Sequence, residues 1–535
     1  MKQPAYILAY DIGTTGVKTC LYELGERIRL LGAAVSGYKL YLLEDGGAEQ
    51  EPDEWWDSLC ATTREVIADT GVPPEKLDGI SFCSQMQGLV LVDEQGRHVR
   101  RAMSYMDQRA RAQHKKGLEH GIQVAGANIR KLLTSLYYTG AVAASAKDPI
   151  WKYKWVEENE PEIFARAHKW LDVKESIIAR MTGELVMTRD SAFAALLYDI
   201  RTGKDDWCLP VCRLLGVNPA HLPKIVNSSD CVGTLNAAAA AELGLCAGIR
   251  VFGGGGDASL IGVGAGAGAL GDTHVYSGTS GWVSTVVDHS MVDINAMIAA
   301  IVGAQKGLFH YFAELETAGK CLEWVKDHLA LDEIGIFLEK TDVAASMESR
   351  YTSLYDYLSE VINSIPAGAG GVIFTPWLHG NRCPFEDPNA RSMFFNISLE
   401  TGKTELIRAV IEGVCFHLRW FLETQEKKTK TSETLRFVGG GALSPVTCQI
   451  LADVTGRTIE TVDEPQNVGA VGAAAVAAVG LGLVADVGAA KALIPVKKSF
   501  APNAENKAVY DKNYAVYTEL YRCNKKNFQK LNESL

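Results

Sequence analysis

Several things that would narrow the role of this 535-residue chain at once are missing from it. There is no excess of basic charge, the net charge being −11. A nucleic-acid binder presents a basic face, so that class is disfavoured, although a local basic pocket for a phosphate is still allowed. No CxxC pair is matched by a second one. The twelve cysteines are scattered from Cys20 to Cys523, so a structural zinc site is not expected. Reduced thiols in a cytoplasmic enzyme are the simplest reading. A secretory signal is not expected either, because the one early apolar run, Ala5–Tyr10, is short and stops at Asp11. No low-complexity linker stands out. One long apolar run does occur: Val468–Ala485 has no charged or polar side chain. It is almost all Gly, Ala and Val, so its transfer into lipid is weak for its length. The run is expected to be a helix whose small residues let backbones pack closely.

With 47% hydrophobic and 22% charged residues, the chain has the composition of an ordinary globular protein. Its length is too great for one core and points to two domains. Two short glycine-rich turns stand out. Gly13-Thr14-Thr15-Gly16 lies inside the β-rich run Tyr6–Tyr22, and Gly278-Thr279-Ser280-Gly281 lies inside Thr273–Thr285. Each reads as the tight turn of a β-hairpin. Such a turn exposes backbone N–H groups and hydroxyls on one side, which suits phosphate oxygens. The two copies lie 265 residues apart, so two similar domains facing one nucleotide are expected. Further strands are expected at Gly79–Cys83 and Gly88–Val92, and helices at Glu54–Asp69, Pro149–Asn159, Val173–Met181, Thr404–Thr424 and Val446–Thr455. The run Ala258–Leu270 reads as one buried helix. From Asn503 on, tyrosines at helical spacing read as an amphipathic surface helix.

Three segments can carry chemistry. Asp11 follows a β-run and precedes the first loop, where a carboxylate can hold Mg²⁺ against nucleotide phosphates or simply form the turn. Lys18, beyond the loop, can neutralise phosphate charge. Asp257 follows four glycines and precedes an apolar helix. It can serve as the base that orients an attacking hydroxyl, or as an N-cap. Gly439-Gly440-Gly441-Ala442-Leu443-Ser444 joins a β-run to a helix and can lie flush against a ring or a phosphate.

In order and content these motifs resemble the FGGY carbohydrate kinases of the sugar kinase, actin and Hsp70 superfamily. Asp11–Lys18 is similar to that family's first phosphate motif, Gly278–Trp282 to the second, and Gly439–Ser444 with Gln449, Ala452 and Asp453 to the adenosine motif. Pro149–Asn159, Leu378–Pro384 and Asp387–Arg391 are similar to its signature segments. The resemblance implies an α/β protein of two ribonuclease-H-like domains, 1–257 and 258–535, with a nucleotide cleft between them. It implies an ATP- and Mg²⁺-dependent kinase with Asp257 as catalytic base and Asp11 and Asp257 as the metal ligands. It implies ATP contacts from Gly13, Thr14, Thr15, Lys18, Gly278, Thr279, Ser280, Gly440, Gly441 and Ala442. Met86, Gln87, Tyr105, Asp107 and Asp257 would meet the acceptor.

Gln85-Met86-Gln87-Gly88 is similar to the Gln-Met-His-Gly segment of xylulose kinases, with Gln87 in place of the histidine. Tyr105-Met-Asp107-Gln-Arg109 resembles a Trp-x-Asp-x-Arg segment of the sugar site. Ala258 stands where relatives place an amide, and Asn381 where the family often has Glu. The expected acceptor is a small ketose or polyol, D-xylulose first, with ribulose, L-xylulose, erythritol, glycerol and gluconate as alternatives. A non-catalytic sugar sensor and an actin- or chaperone-like ATPase are the rival classes. A homodimer is compatible with the family, and no stretch marks an interface.

Overall fold

The structure, a computed structural model, describes residues 4–124, 127–329 and 362–533. Among these, two sheets built on one plan dominate. In the seven-stranded sheet, Ala5–Ile12 and Gly16–Leu24 form the first hairpin, with Asp11 opposite Lys18. On one side the hairpin pairs antiparallel with Ile28–Gly37. On the other side Ala5–Ile12 pairs parallel with Leu77–Ser84, which pairs parallel in turn with Arg250–Phe252 and Gly255–Gly256. The eight-stranded sheet repeats this order. Thr273–Ser277 and Gly281–Val287 form the second hairpin. Phe309–Leu315 adds antiparallel on one side, and Thr434–Val438 and Thr458–Val462 add parallel on the other. Both hairpins expected from the turn residues are therefore present, each with its turn at the same corner of its sheet.

Local chemistry accounts for most elements. The helix Pro52–Thr70 starts on a proline, carries Asp53 and Glu54 in its first turn and stops at Gly71, whose φ of 64° is left-handed. Its buried face, Trp55, Trp56, Leu59, Thr63 and Val66, lies on the first sheet, where Tyr10 and Thr63 share a 2.7 Å hydrogen bond. Helix Lys403–Glu426 covers the second sheet, and helix Lys507–Asn532 packs on its outer side. The tyrosine face of the last helix is buried rather than free: Tyr510 receives a 2.9 Å bond from Arg408, Tyr514 donates to Glu423 at 2.9 Å, and Tyr517 lies 2.6 Å from His417 Nδ1.

Between the sheets lie two helices made mostly of small residues, Asp257–Gly264 and Val468–Gly480. A Cβ on Gly264 would fall 1.9 Å from the Val468 carbonyl oxygen, and one on Gly472 would fall 2.2 Å from that of Leu260. The two backbones touch, which is the close packing expected of the Gly/Ala run. No described helix is long and apolar enough to cross a membrane. One expectation needs correction. The buried helix expected over Ala258–Leu270 spans Asp257–Gly264 only. Gly266 takes a φ of 76°, and the alternating glycines there end the helix.

Candidate active site

Parallel pairing brings three chain segments to one edge of the first sheet. Asp11 is level with Cys83, and Cys83 with Gly255; Ile12 is level with Ser84, and Ser84 with Gly256. Asp11, Gln85 and Asp257 therefore leave the carboxyl ends of adjacent strands, the position at which open α/β sheets bind ligands. Asp257 opens the helix that runs back between the sheets. Its Oδ1 accepts the Ala258 N–H at 2.8 Å, so part of the N-cap reading holds. Burial raises its pKa to about 7; the Ala258 N–H works against this, while Asp11, Glu314 and Asp190 add to it. Glu314 belongs to the second sheet, in register with Trp282, so Asp257 feels carboxylates of both lobes. Burial also raises the Asp11 pKa, with Lys18 and a hydrogen bond from Cys83 opposing the shift.

The glycines before Asp257 are explained by what lies against them. A Cβ on Gly254 would fall 2.2 Å from the Phe82 carbonyl oxygen, and one on Gly256 would fall 2.1 Å from Met86 Sδ. Met86 thus packs directly on the loop that presents Asp257. Beneath the loop lies a buried polar network that the sequence did not reveal. Asp190 Oδ2 accepts from Gly256 N at 2.7 Å and from the Ser259 hydroxyl, and Asp190 Oδ1 accepts from Thr188. Lys174, wholly buried, donates to Glu175, to Thr188 at 2.7 Å and to Ser191 at 2.5 Å. Lys174 and these donors hold Asp190 below the usual carboxylate pKa despite its burial.

In the first hairpin turn Gly13 N–H donates to Gly16 O at 2.9 Å, and the Tyr38 hydroxyl donates to the carbonyls of Gly13 and Gly16. Thr15 is exposed and Thr14 half-buried. The Thr14 hydroxyl lies 3.4 Å from that of Tyr105, and the Thr14 carbonyl accepts from Gln50 at 2.7 Å. The first loop therefore borders the Tyr105 segment. In the second turn Gly278 N–H donates to Ser280 O at 2.9 Å, and Thr279 is exposed. The amino end of helix Gly319–His328 sits on this turn through Gly319 N–H to Gly278 O, 2.8 Å. Gly440–Leu443 forms a single 3₁₀ turn beside it; a Cβ on Gly439 would meet the Ser277 carbonyl at 2.6 Å. Ala442 and Leu443 border a cavity of ≈130 Å³ shared with Pro465 and Lys498. A larger cavity of ≈350 Å³ lies near Thr273, Thr434 and Arg436 and touches none of the candidate residues.

Two expected residues are otherwise engaged. Lys18 donates to Asn467 Oδ1 at 2.6 Å and lies 3.4 Å from the Gln466 carbonyl, so its charge ties the first hairpin to the start of helix Val468–Gly480. Asp107 is fully buried. Its oxygens accept from Ala48 N at 2.9 Å and from the Arg109 guanidinium at 2.8–3.3 Å, and Arg109 also reaches Glu49. Asn381 is buried as well, donating to the carbonyls of Cys383 and Phe385 at 2.7 and 2.9 Å. The strand histidine His274 is structural, accepting from Trp282 Nε1 at 3.0 Å.

Two lobes of one plan, each with a glycine hairpin turn and with the half-buried Asp257 carboxylate between them, define a sugar kinase of the actin-like class. Comparison with known proteins agrees. The profile of the N-terminal domain of the FGGY family of carbohydrate kinases matches residues 6–264, and that of the C-terminal domain matches residues 274–481. This chain belongs to the FGGY family of carbohydrate kinases, and it catalyses ATP-dependent phosphorylation of a carbohydrate. A xylulose kinase of Bacillus subtilis is 27% identical over 517 residues, 96% of each chain. A gluconokinase of the same organism is 26% identical over 455 residues, covering 84% of this chain and 83% of that one. The crystal structure of a ligand-bound xylulose kinase from Lactobacillus acidophilus superposes with a TM-score of 0.82 at 25% identity, over 98% of this chain and all of that one.

Proposed function

We propose that the chain phosphorylates a hydroxyl of a small ketose or polyol, D-xylulose to D-xylulose 5-phosphate before others, using Mg²⁺ with ATP. The observation that carries this reading is Asp257. It stands at a helix start between the lobes, next to Gly256, on which Met86 packs, with a pKa raised to about 7 by burial and by nearby carboxylates. A base with a pKa near the working pH is suited to take a hydroxyl proton. The acceptor hydroxyl gives its proton to Asp257 Oδ, its oxygen bonds to the γ-phosphorus, and the bond to the bridging oxygen breaks to release ADP. Thr14, Thr15, Thr279 and Ser280, with the N–H groups of their turns, bind phosphate oxygens, and Gly440–Ala442 lie along the adenosine. Met86, Gln87 and Tyr105 border the acceptor, while Asp107 positions Arg109. Closure of the lobes keeps water from the γ-phosphate.

The donor set fits Mg²⁺. Asp11 and Asp257 supply only hard carboxylate oxygens, and their mutual repulsion is what a divalent cation relieves. Bound with ATP, the ion neutralises charge developing on the phosphates.

The test is Mg·ATP-dependent ADP release with D-xylulose, L-xylulose, D-ribulose, L-ribulose, glycerol, erythritol and gluconate. Strong preference for one ketose or polyol supports the proposal. Preference for gluconate, which the gluconokinase relatives make a pointed comparison, overturns the acceptor class and leaves the phosphoryl transfer intact. ATP binding with no acceptor-dependent release favours a sensor.

A further inference from the structure

Lys152 was not singled out by its surroundings in the sequence, yet it is completely buried on the signature helix Pro149–Asn159. Burial pulls its pKa down to about 8, against the pull of Asp172, Asp107 and Asp148, the acids that face it. A buried ammonium is unfavourable unless its protons are taken up. Here they are: Lys152 Nζ donates to the Gln87 carbonyl at 2.6 Å and to the Ser104 carbonyl at 2.9 Å. One side chain thus joins the segment Gln85–Gly88 to the start of the Tyr105–Arg109 segment.

The peptide between Gln87 and Gly88 is held from both ends. Its carbonyl accepts from Lys152, and its N–H donates to Asp172 Oδ1 at 2.9 Å. Asp172 is itself buried and caps the helix Val173–Thr182 by accepting the Val173 N–H at 2.8 Å. A Cβ on Gly88 would fall 2.6 Å from that same Asp172 oxygen, so a side chain there would push the carboxyl off the amide. Gln87 has a φ of 63°, a left-handed conformation that a residue with a side chain holds only when its surroundings enforce it. The Lys152 ammonium on the carbonyl and the Asp172 carboxyl oxygen on the N–H of one peptide supply that enforcement by hydrogen bonding, and they do so although burial and the neighbouring Glu175 raise the Asp172 pKa to about 7.

We infer that Lys152 and Asp172 are positioning residues for the phosphoryl acceptor. They grip the Gln87–Gly88 peptide between a donor on its carbonyl and an acceptor on its N–H and so fix the turn from which Met86 reaches Gly256 and from which the Gln87 side chain departs. This inference rests on the proposed contact of Met86 and Gln87 with the acceptor. Because the clamp acts on the backbone of the acceptor segments and reaches the first loop only through the 3.4 Å approach of Tyr105 to Thr14, its main effect falls on the acceptor.

The experiment compares Lys152→Met, Asp172→Asn, Asp172→Ala and Gln87→Ala with the parent enzyme, measuring KM for the preferred acceptor and for ATP separately. Lys152→Met should raise the acceptor KM tenfold or more and change the ATP KM less than twofold. Asp172→Asn keeps an oxygen for the Gly88 N–H and should recover most of the affinity that Asp172→Ala loses. A folded Lys152→Met enzyme with an unchanged acceptor KM, or one with both KM values raised alike, overturns the clamp. Should Lys152→Met fail to fold, equal acceptor KM values for Asp172→Asn and Asp172→Ala overturn it instead. An unchanged acceptor KM in Gln87→Ala refutes the acceptor contact itself, a failure separate from that of the clamp.

Discussion

Replacing Asp257 by Asn tests catalysis and electrostatics in one protein. Asn keeps an oxygen for the Ala258 N–H and removes the charge that burial, Asp11, Glu314 and Asp190 make unfavourable. The sign follows from the raised pKa. The folded state holds the proton from about 3.8 up to about 7, where the unfolded chain has already released it. Stability of the parent therefore falls as pH rises through that window. Integrating the linkage gives a deficit of about 1 kcal/mol at pH 4.5 and about 4 kcal/mol at pH 8. Asn escapes this deficit, so Asp257→Asn should be more stable than the parent, by a margin about 3 kcal/mol larger at pH 8 than at pH 4.5. For a lobe of this size that corresponds to a widening of the Tm difference by about 5 °C. The assay is thermal unfolding of both proteins at the two pH values without nucleotide. Turnover should drop by about 10²–10⁴-fold with ATP binding retained, as for loss of a general base. A Tm difference independent of pH would refute the raised pKa; near-normal turnover would refute the catalytic role.

Three further outcomes follow from the same geometry. Asp11→Asn removes one of the charges that raise the Asp257 pKa, so the acid limb of kcat/KM for the acceptor should move to lower pH while the Mg²⁺ concentration for half-maximal rate rises; an unmoved limb in a pH–rate profile would contradict their coupling. Asp190→Ala leaves the Gly256 N–H and the Ser259 and Thr188 hydroxyls without their acceptor and removes a negative charge near the buried Lys174, whose ion pair with Glu175 remains, and chemical denaturation should show a loss of about 3–5 kcal/mol. Gly472→Val would drive a Cβ to within 2.2 Å of the Leu260 carbonyl oxygen and separate the two central helices, so soluble yield and Tm should both fall, whereas Gly482→Ala, where no atom lies within 4 Å, should be limited to the strain of its φ of 69°.

Much of this molecule could be read along the chain. Both glycine hairpins were visible because a turn is a local event: Gly13–Gly16 and Gly278–Gly281 each lie between strands that fold back on their own neighbours. The helix Pro149–Asn159 has the same limits in sequence and in structure, with proline setting its start. The helix after Asp257 was over-extended, because hydropathy continues past Gly264 while the backbone does not. Asp257 stood out by its four preceding glycines, and the reason for those glycines, Phe82 on one side and Met86 on the other, is a contact across the fold.

The sequence by itself determined the local elements, the two turns and, through the order of motifs, the family. Only the tertiary structure decided which charges matter to one another. Lys152 meets Gln87 across 65 positions, Asp172 meets Gly88 across 84, and Asp190 meets Ser259 across 69. Nothing local distinguishes these residues from a solvated lysine or aspartate. A charge acquires its role from burial and from the partner that burial brings within about 3 Å, and both are properties of the packed chain.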